Sequence, residues 1–206
     1  MIHKWSITLA FACAPLAFPS HAAGPVVLLI GGPGAGKTTQ TQILQKERGM
    51  AIISADDLIA HNHQVFEKFR NPSIQGVDPK LDPALNELVE EALKKVDLSK
   101  GVVLDGYPAA KIQGDYLTEV IAKLQLPGPV VIHLHISDDV ARKRLKSEKG
   151  RNLDQELKDY HREMDFARTY FPEADIHDVD GNQKPEVVAQ KISKIIESAP
   201  KSALSK

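Results

Sequence analysis

Apolar residues along this chain gather in short runs, separated by longer stretches in which they recur at helical spacing. The runs lie at 25–30, 50–54, 101–105, 129–137 and 176–179 and are rich in Val, Ile and Leu. The continuous run at 25–30, ended by glycines, predicts a buried parallel strand, and the others are of strand length. The stretches at 37–48, 83–96, 114–124, 138–149, 153–170 and 185–197 predict helices, the first closed by Gly49. Strands alternating with helices predict an α/β three-layer sandwich, with a mostly parallel sheet and right-handed crossovers. Residues 60–100 are long for one crossover. They carry Asn71, Pro72, Gly76, Pro79 and Pro83, and so predict a small subdomain between the second and third strands.

The first 22 residues follow a different pattern. Lys4 precedes an uncharged apolar stretch of fourteen residues at 5–18, and Pro19, Ser20, His21 and Ala22 end the segment with small residues at the cleavage-type positions. This is the layout of a secretory signal peptide cleaved after Ala22, and the run is too short to span a bilayer. Export to the periplasm or outside the cell is the resulting expectation, with no membrane span. Cys13, the single cysteine, lies inside this segment. A chain beginning at Ala23 has none, which excludes a disulfide framework and any site built on several thiolates.

The 206 residues suit one domain, expected at 23–200, with a disordered tail at 201–206 rich in Ser and Lys. With 26 basic against 27 acidic residues the net charge is −1, so nothing here suits a nucleic acid polymer. Any polyanion bound must be small and held locally.

One motif supplies such a place. Residues 31–38 read GGPGAGKT, matching G-x-x-x-x-G-K-[ST] directly after a strand and before a helix. Glycines there let backbone N–H groups turn towards phosphate oxygens, the helix N-terminus adds positive potential, Lys37 reaches the terminal phosphates and the Thr38 hydroxyl can ligate Mg²⁺. The motif alone does not separate a kinase from an ATPase or a GTPase.

Further motifs narrow the class. The loop continues as GGPGAGKTTQ to Gln40, residues 101–108 read GVVLDGYP, Gln113 follows five residues later, and residues 54–59 read SADDLI. In these segments, in this order, the chain resembles the adenylate kinase family of nucleoside monophosphate kinases. The resemblance implies a five-stranded parallel core, an acceptor-binding insertion at 56–100 and a lid at 144–162. It implies a nucleotide site of Gly32, Pro33, Gly34, Ala35, Gly36, Lys37, Thr38, Thr39, Arg144 and Gly181. It implies an acceptor site of Asp57, Gly106, Gln113, Arg151 and Arg162, and Mg²⁺ held with ATP by Thr38 and Asp105. Lys37, Arg144, Arg151 and Arg162 would be catalytic, with Asp154 holding the lid's internal hydrogen bonds, in a protein acting as a monomer.

The same residues have readings of their own. Asp105 ends a buried strand, where α/β proteins place ligands. Asp57 is either a partner of Asp105 or the N-cap of a helix starting near Leu58. Gln113 either reads a base edge or is a solvated helix start. Arg151 and Arg162 are eleven apart, about three helical turns, and on one helix would share a face. Cationic groups closing over a transferring phosphoryl stabilise its charge, whereas Arg142, Lys143 and Lys146 fit a solvated face. His61 with His63, and His133 with His135, are each two apart. The second pair would share one strand face, and packing or surface roles are expected for both pairs.

Two departures from the family pattern concern the acceptor. Its arginine after D-G-[FY]-P is Ala109 here, and the arginine closing T-G-D-L-L-R is Ala60, with Ala55 and Asp56 in place of T-G. An early lid arginine falls near Glu148 or Lys149. Charge-assisted hydrogen bonds contribute roughly 1.5–3 kcal/mol each, so losing two weakens phosphate binding by about two orders of magnitude or more. Lys68, Arg70 and Lys111 are the candidate substitutes. Three functions therefore stay open at this point: an ATP-dependent nucleoside monophosphate kinase, a P-loop kinase for a nucleoside, sugar or cell-wall precursor with Asp57 as its base, and a nucleotide-binding protein of weak turnover.

Overall fold

The computed structural model describes residues 23–67, 81–148, 150–172 and 175–199. The expectations for residues 1–22, Lys68, Arg70, Asn71, Pro72, Gly76, Pro79, Lys149 and the tail at 201–206 lie outside the described residues. Within them, five strands form one sheet: β1 Val26–Gly31, β2 Ala51–Ser54, β3 Val102–Asp105, β4 Val130–His135 and β5 Ile176–Asp180. Their order is β2-β3-β1-β4-β5 and every pairing is parallel.

Strand side chains alternate between the two faces, and each face has its own helical cover. Val26, Leu28 and Ile30 of β1 point to the face covered by α2 Ala55–His61, α3 His63–Glu67, α4 Leu81–Lys95, α5 Lys111–Lys123 and α7 Leu153–Tyr170. Val27 and Leu29 point to the face covered by α1 Lys37–Arg48, α6 Asp138–Leu145 and α8 Pro185–Ser198. Burial on both sides is why β1, β3 and β4 read as apolar runs, whereas edge strand β5, Ile176–Asp180, is only partly buried. The three-layer α/β sandwich expected from the pattern is the observed architecture.

Two helix boundaries differ from the pattern for identifiable reasons. α5 begins at Lys111 instead of 114, because Gln113 N–H and Gly114 N–H both donate to the Ala110 carbonyl. Gly114 lies inside the helix, where a Cβ would come within 2.9 Å of the Tyr170 ring, so it is a close-packing point between α5 and α7. α6 ends at Leu145 instead of 149, in a turn where Glu148 N–H donates to the Leu145 carbonyl. Gly150 follows at φ 86°, which no helix continues through.

β1 lies between β3 and β4; its connection to β2 through α1 covers one face, and the connection from β3 to β4 through α5 covers the other. The crevice at the carboxyl ends of these strands is where open parallel sheets take ligands. Among the described residues, no helix is long and apolar enough to cross a membrane.

Candidate active site

The glycine-rich loop grows out of β1 and becomes α1 within a few residues. Ala35 N–H donates to the Gly32 carbonyl at 3.1 Å. Gly34 and Gly36 hold φ of 73° and 102°, left-handed angles that a side chain resists. A Cβ on Gly36 would meet nothing within 4 Å, so the space over the loop is open and backbone angle is what demands glycine there. Gly36 caps α1, and the first N–H groups of that helix have no partner within it. Lys37 Nζ curls back to donate to the Gly31 carbonyl at 2.6 Å.

Three other elements close on this loop. Tyr160 of α7 lies against Gly32, where a Cβ would come within 3.1 Å of the ring. Gly181, just after β5, approaches so closely that a Cβ there would sit 2.9 Å from the Ala35 carbonyl oxygen. Arg144 of α6 spans the two segments, donating to the carbonyls of Gly34 at 2.8 Å and Gly181 at 3.0 Å. Gly32, Pro33, Gly34, Ala35, Gly36, Lys37, Thr38, Thr39, Arg144 and Gly181, far apart in sequence, thus meet at one end of the sheet. Thr38 and Thr39 stand exposed at the start of α1.

Asp105 ends β3, in register with Leu29 of β1 and Ser54 of β2. Burial pushes its carboxyl above the ordinary carboxylate value, against the pull of Lys37 and with added push from Asp56 and Asp57. These four charges therefore share one neighbourhood. Asp57 is not an N-cap: Ser54 Oγ accepts the Asp57 N–H at 3.2 Å, so α2 starts at Ala55 instead of near Leu58. The Thr38 hydroxyl and Asp105 carboxylate are hard oxygen donors of the kind that hold Mg²⁺ when substrate phosphates supply the remaining ligands, so the donor set fits that ion.

The arginines are placed differently from the expectation. Arg151 precedes Asn152, the N-cap of α7, so the spacing of eleven to Arg162 does not define a shared helix face. Its guanidinium pairs with Glu148 at 2.6 Å and with Glu156, which together hold its pKa above the ordinary value. Arg162 is on α7, but its side chain is 64% exposed and pairs with Asp159. The inward face of α7 is set by Leu157, Tyr160, Met164 and Ala167, and Glu163, one turn after Tyr160, flanks it. Burial raises the Glu163 carboxyl to about 7, with Lys37 opposing and Asp105 and Asp56 adding to the rise. Glu163, not Arg162, faces the Lys37 neighbourhood. The phase of the four buried positions is the signal in the sequence that points to Glu163, and motif spacing obscures it. Arg142 of α6 is exposed, as expected of a solvated face, and donates to exposed Asp154 in the first turn of α7 at 2.6 Å.

On the acceptor side, Gly106 turns at φ 73°, 3.6 Å from the Ala55 Cβ when given a Cβ of its own. The Tyr107–Pro108 peptide bond is cis. Gln113 is 4% exposed, which overturns the solvated reading. Its Oε1 accepts the Ala109 N–H at 2.7 Å and its Nε2 donates to buried Asp82 at 2.8 Å. One amide hydrogen and one lone pair remain uncommitted by these two contacts. Tyr107 Oη donates to Asn86 at 2.6 Å, tying the same turn to α4. Ala60 and Ala109 are both exposed, and Lys111 is paired with Asp115 at 2.6 Å.

The histidines divide as expected between surface and packing. His61 and His63 are exposed, while His133 is buried beside exposed His135, their rings 5.7 Å apart. Among the described residues no group of three or more His, Cys, Asp and Glu is arranged to hold a metal ion.

A 2-3-1-4-5 parallel sheet carrying a glycine-rich loop between β1 and α1 defines an α/β protein of the P-loop kinase class. Residues 29–176 match the family description "Adenylate kinase", well over half of the chain, and the chain belongs to the adenylate kinase family. An adenylate kinase of Pseudarthrobacter chlorophenolicus is 29% identical over 192 residues, covering 84% of this chain and 97% of that protein. One from Tropheryma whipplei is 28% identical over 180 residues, covering 82% and 96%. Adenylate kinase 1 of a Nostoc species reaches 35% identity over 133 residues, covering 63% and 72%. Members of this family are ATP-dependent nucleoside monophosphate kinases, and this chain is an enzyme of that kind.

Proposed function

We propose that this chain transfers the γ-phosphoryl group of Mg-ATP to a nucleoside monophosphate, with AMP as the acceptor. The observation that carries the reading is the convergence of the Gly32–Thr39 loop, Arg144 and Gly181 on one open space at the carboxyl edge of the sheet. The names of its relatives support the choice of AMP.

In this reading the loop N–H groups and the α1 N-terminus hold the donor phosphates. Lys37 leaves the Gly31 carbonyl for the β- and γ-phosphates, and Arg144 leaves Gly34 and Gly181 to border the donor nucleotide. A phosphate oxygen of the acceptor forms the new P–O bond as the bond to the bridging β–γ oxygen breaks, so two nucleoside diphosphates leave. No protein nucleophile is required. Thr38 and Asp105 would hold Mg²⁺, which supplies charge neutralisation across the phosphates when bound. Arg151 exchanges Glu148 and Glu156 for the transferring phosphoryl, a lid role for 144–162, while 56–100 forms the acceptor insertion. Gly106, Gln113 and Asp57 border the acceptor. Arg162 exchanges Asp159 for the phosphates in the same way as Arg151. With Ala60 and Ala109 in place of guanidinium groups, the acceptor is held weakly, and a high KM for AMP follows.

Residues 1–22 are proposed to direct export and to be removed after Ala22. The test of the acceptor is incubation of residues 23–206 with Mg-ATP and separate monophosphates, nucleosides and sugars, with products identified by mass. ADP formed from both ATP and AMP supports the reading; phosphorylation of a hydroxyl compound with AMP untouched rejects it.

A further inference from the structure

His133 is a buried, ionisable residue in the middle of the sheet that the phosphoryl-transfer account does not use. It belongs to β4, in register with Ile30 of β1 on one side and Asp178 of β5 on the other. The residue is 2% exposed, and both ring nitrogens are engaged. Nδ1 lies 2.5 Å from Asp178 Oδ1, and Nε2 lies 2.7 Å from the Tyr160 hydroxyl. Burial pulls the His133 pKa down and so favours the neutral ring; the Asp178 carboxylate accepts from Nδ1–H, which leaves Nε2 as the acceptor. The Tyr160 hydroxyl therefore donates to His133, and the direction of every bond in the chain is fixed by Asp178.

The far end of this chain is the phosphate loop. The Tyr160 ring lies against Gly32, close enough that a Cβ there would come within 3.1 Å of Cδ1 and 3.2 Å of Cε1. Gly32 is two residues after Ile30, the β1 residue paired with His133. The ring is thus a wall that the first turn of the loop rests on, and its tilt and depth are set by the hydroxyl's bond to the sheet.

We infer that the Asp178–His133–Tyr160 chain positions the phosphate-binding loop for transfer, with Tyr160 and His133 as positioning residues. An aromatic ring alone would fill the space, but a ring whose hydroxyl is bonded to His133 ties this turn of α7 to β4. Displacements of about 1 Å at the reacting groups cost on the order of a hundredfold in rate. Fastening the wall to the rigid sheet holds Gly32 while the segment bearing Arg144 and Arg151 opens and closes.

The inference rests on the nucleotide site proposed above, so its test includes a readout that needs no turnover. Tyr160→Phe keeps the ring and removes the hydroxyl. Amide hydrogen exchange at residues 32–36 of that variant is expected to accelerate about tenfold, with β1 and β4 amides as protected as in the parent protein. In the kinase assay, kcat is expected to fall about tenfold with the KM for ATP changed less than about threefold.

His133→Gln, whose Oε1 can accept from Tyr160, is expected to retain most of the activity, whereas His133→Leu is not. Pairing Tyr160→Phe with His133→Leu removes both polar partners and restores melting temperature towards the parent value without restoring kcat. The inference is overturned if loop exchange in Tyr160→Phe matches the parent. It is equally overturned if kcat recovers together with the melting temperature in the double variant, because the chain would then be only a stabilising contact. A parent protein that phosphorylates no monophosphate would reject the proposed function and leave the exchange experiment to decide this one.

Discussion

Glu163 offers a quantitative test of how the site is built. Its carboxyl ordinarily titrates near 4.5, and burial beside Asp105 and Asp56 raises it to about 7 in the folded chain. The unfolded chain therefore gives up this proton between about 4.5 and 7 while the folded chain keeps it. The folded state binds more protons in that interval, so stability falls as pH rises through it and levels off above about 7. At roughly 1.4 kcal/mol per pH unit, the interval costs at most about 3.5 kcal/mol. The side chain keeps some solvent contact, which screens the effect, and about 2 kcal/mol is the expected loss.

Glu163→Gln retains the shape of the neutral acid and cannot ionise. The variant should melt close to the parent at pH 4.5 to 5 and above it by about 4–8 °C at pH 8, for a chain of this size. Thermal melts of both proteins across pH 4.5 to 8, without nucleotide, measure this. Parallel curves over that range would refute the placement of Glu163 against Asp105. A variant that loses stability as pH rises would refute the sign.

Much of this site is legible in the sequence, and what is not has a common cause. The strand, loop and helix around Lys37 are contiguous, so composition and order specify them. Asp105 is legible because a carboxylate ending a buried strand has only one edge to occupy. The face of α7 is not legible from the eleven-residue spacing of its arginines, because Arg151 lies before the cap. Phase is set by which residues pack, and Leu157, Tyr160, Met164 and Ala167 turn Arg162 out and Glu163 in. Gln113 is ambiguous for a similar reason, since its burial depends on Asp82, 31 residues away. The Asp178–His133–Tyr160 chain joins β5, β4 and α7, contacts that no local window contains.

Other expectations follow from named contacts. Glu90 of α4 pairs with Lys123 and Lys94 at 2.6 Å and accepts from Tyr116, holding its carboxyl near 2. Its folded-state pKa is depressed, so its stabilisation is full above about 4.5 and lost as pH falls towards 2. Glu90→Gln should lower the melting temperature at pH 7 and converge with the parent near pH 2, and a constant gap would contradict the ion pairing. Ala109→Arg places a guanidinium on the exposed turn beside Gln113, and the KM for AMP should fall by about tenfold or more with a smaller change for ATP. An unchanged KM in a folded, ATP-binding variant would remove Ala109 from the acceptor site. Protein recovered from its native host should begin near Ala23 and lie outside the cytoplasm, and an intact Met1 on a cytosolic protein would reject export.

Label transfer tests the central claim most directly. ATP labelled at the γ-phosphorus is mixed with Mg²⁺, AMP and the protein, with Lys37→Ala run alongside. Label is expected in ADP derived from AMP, at a rate at least about a hundredfold lower in the Lys37 variant. Label confined to ATP or appearing only in inorganic phosphate, or equal transfer by the Lys37 variant, would contradict it.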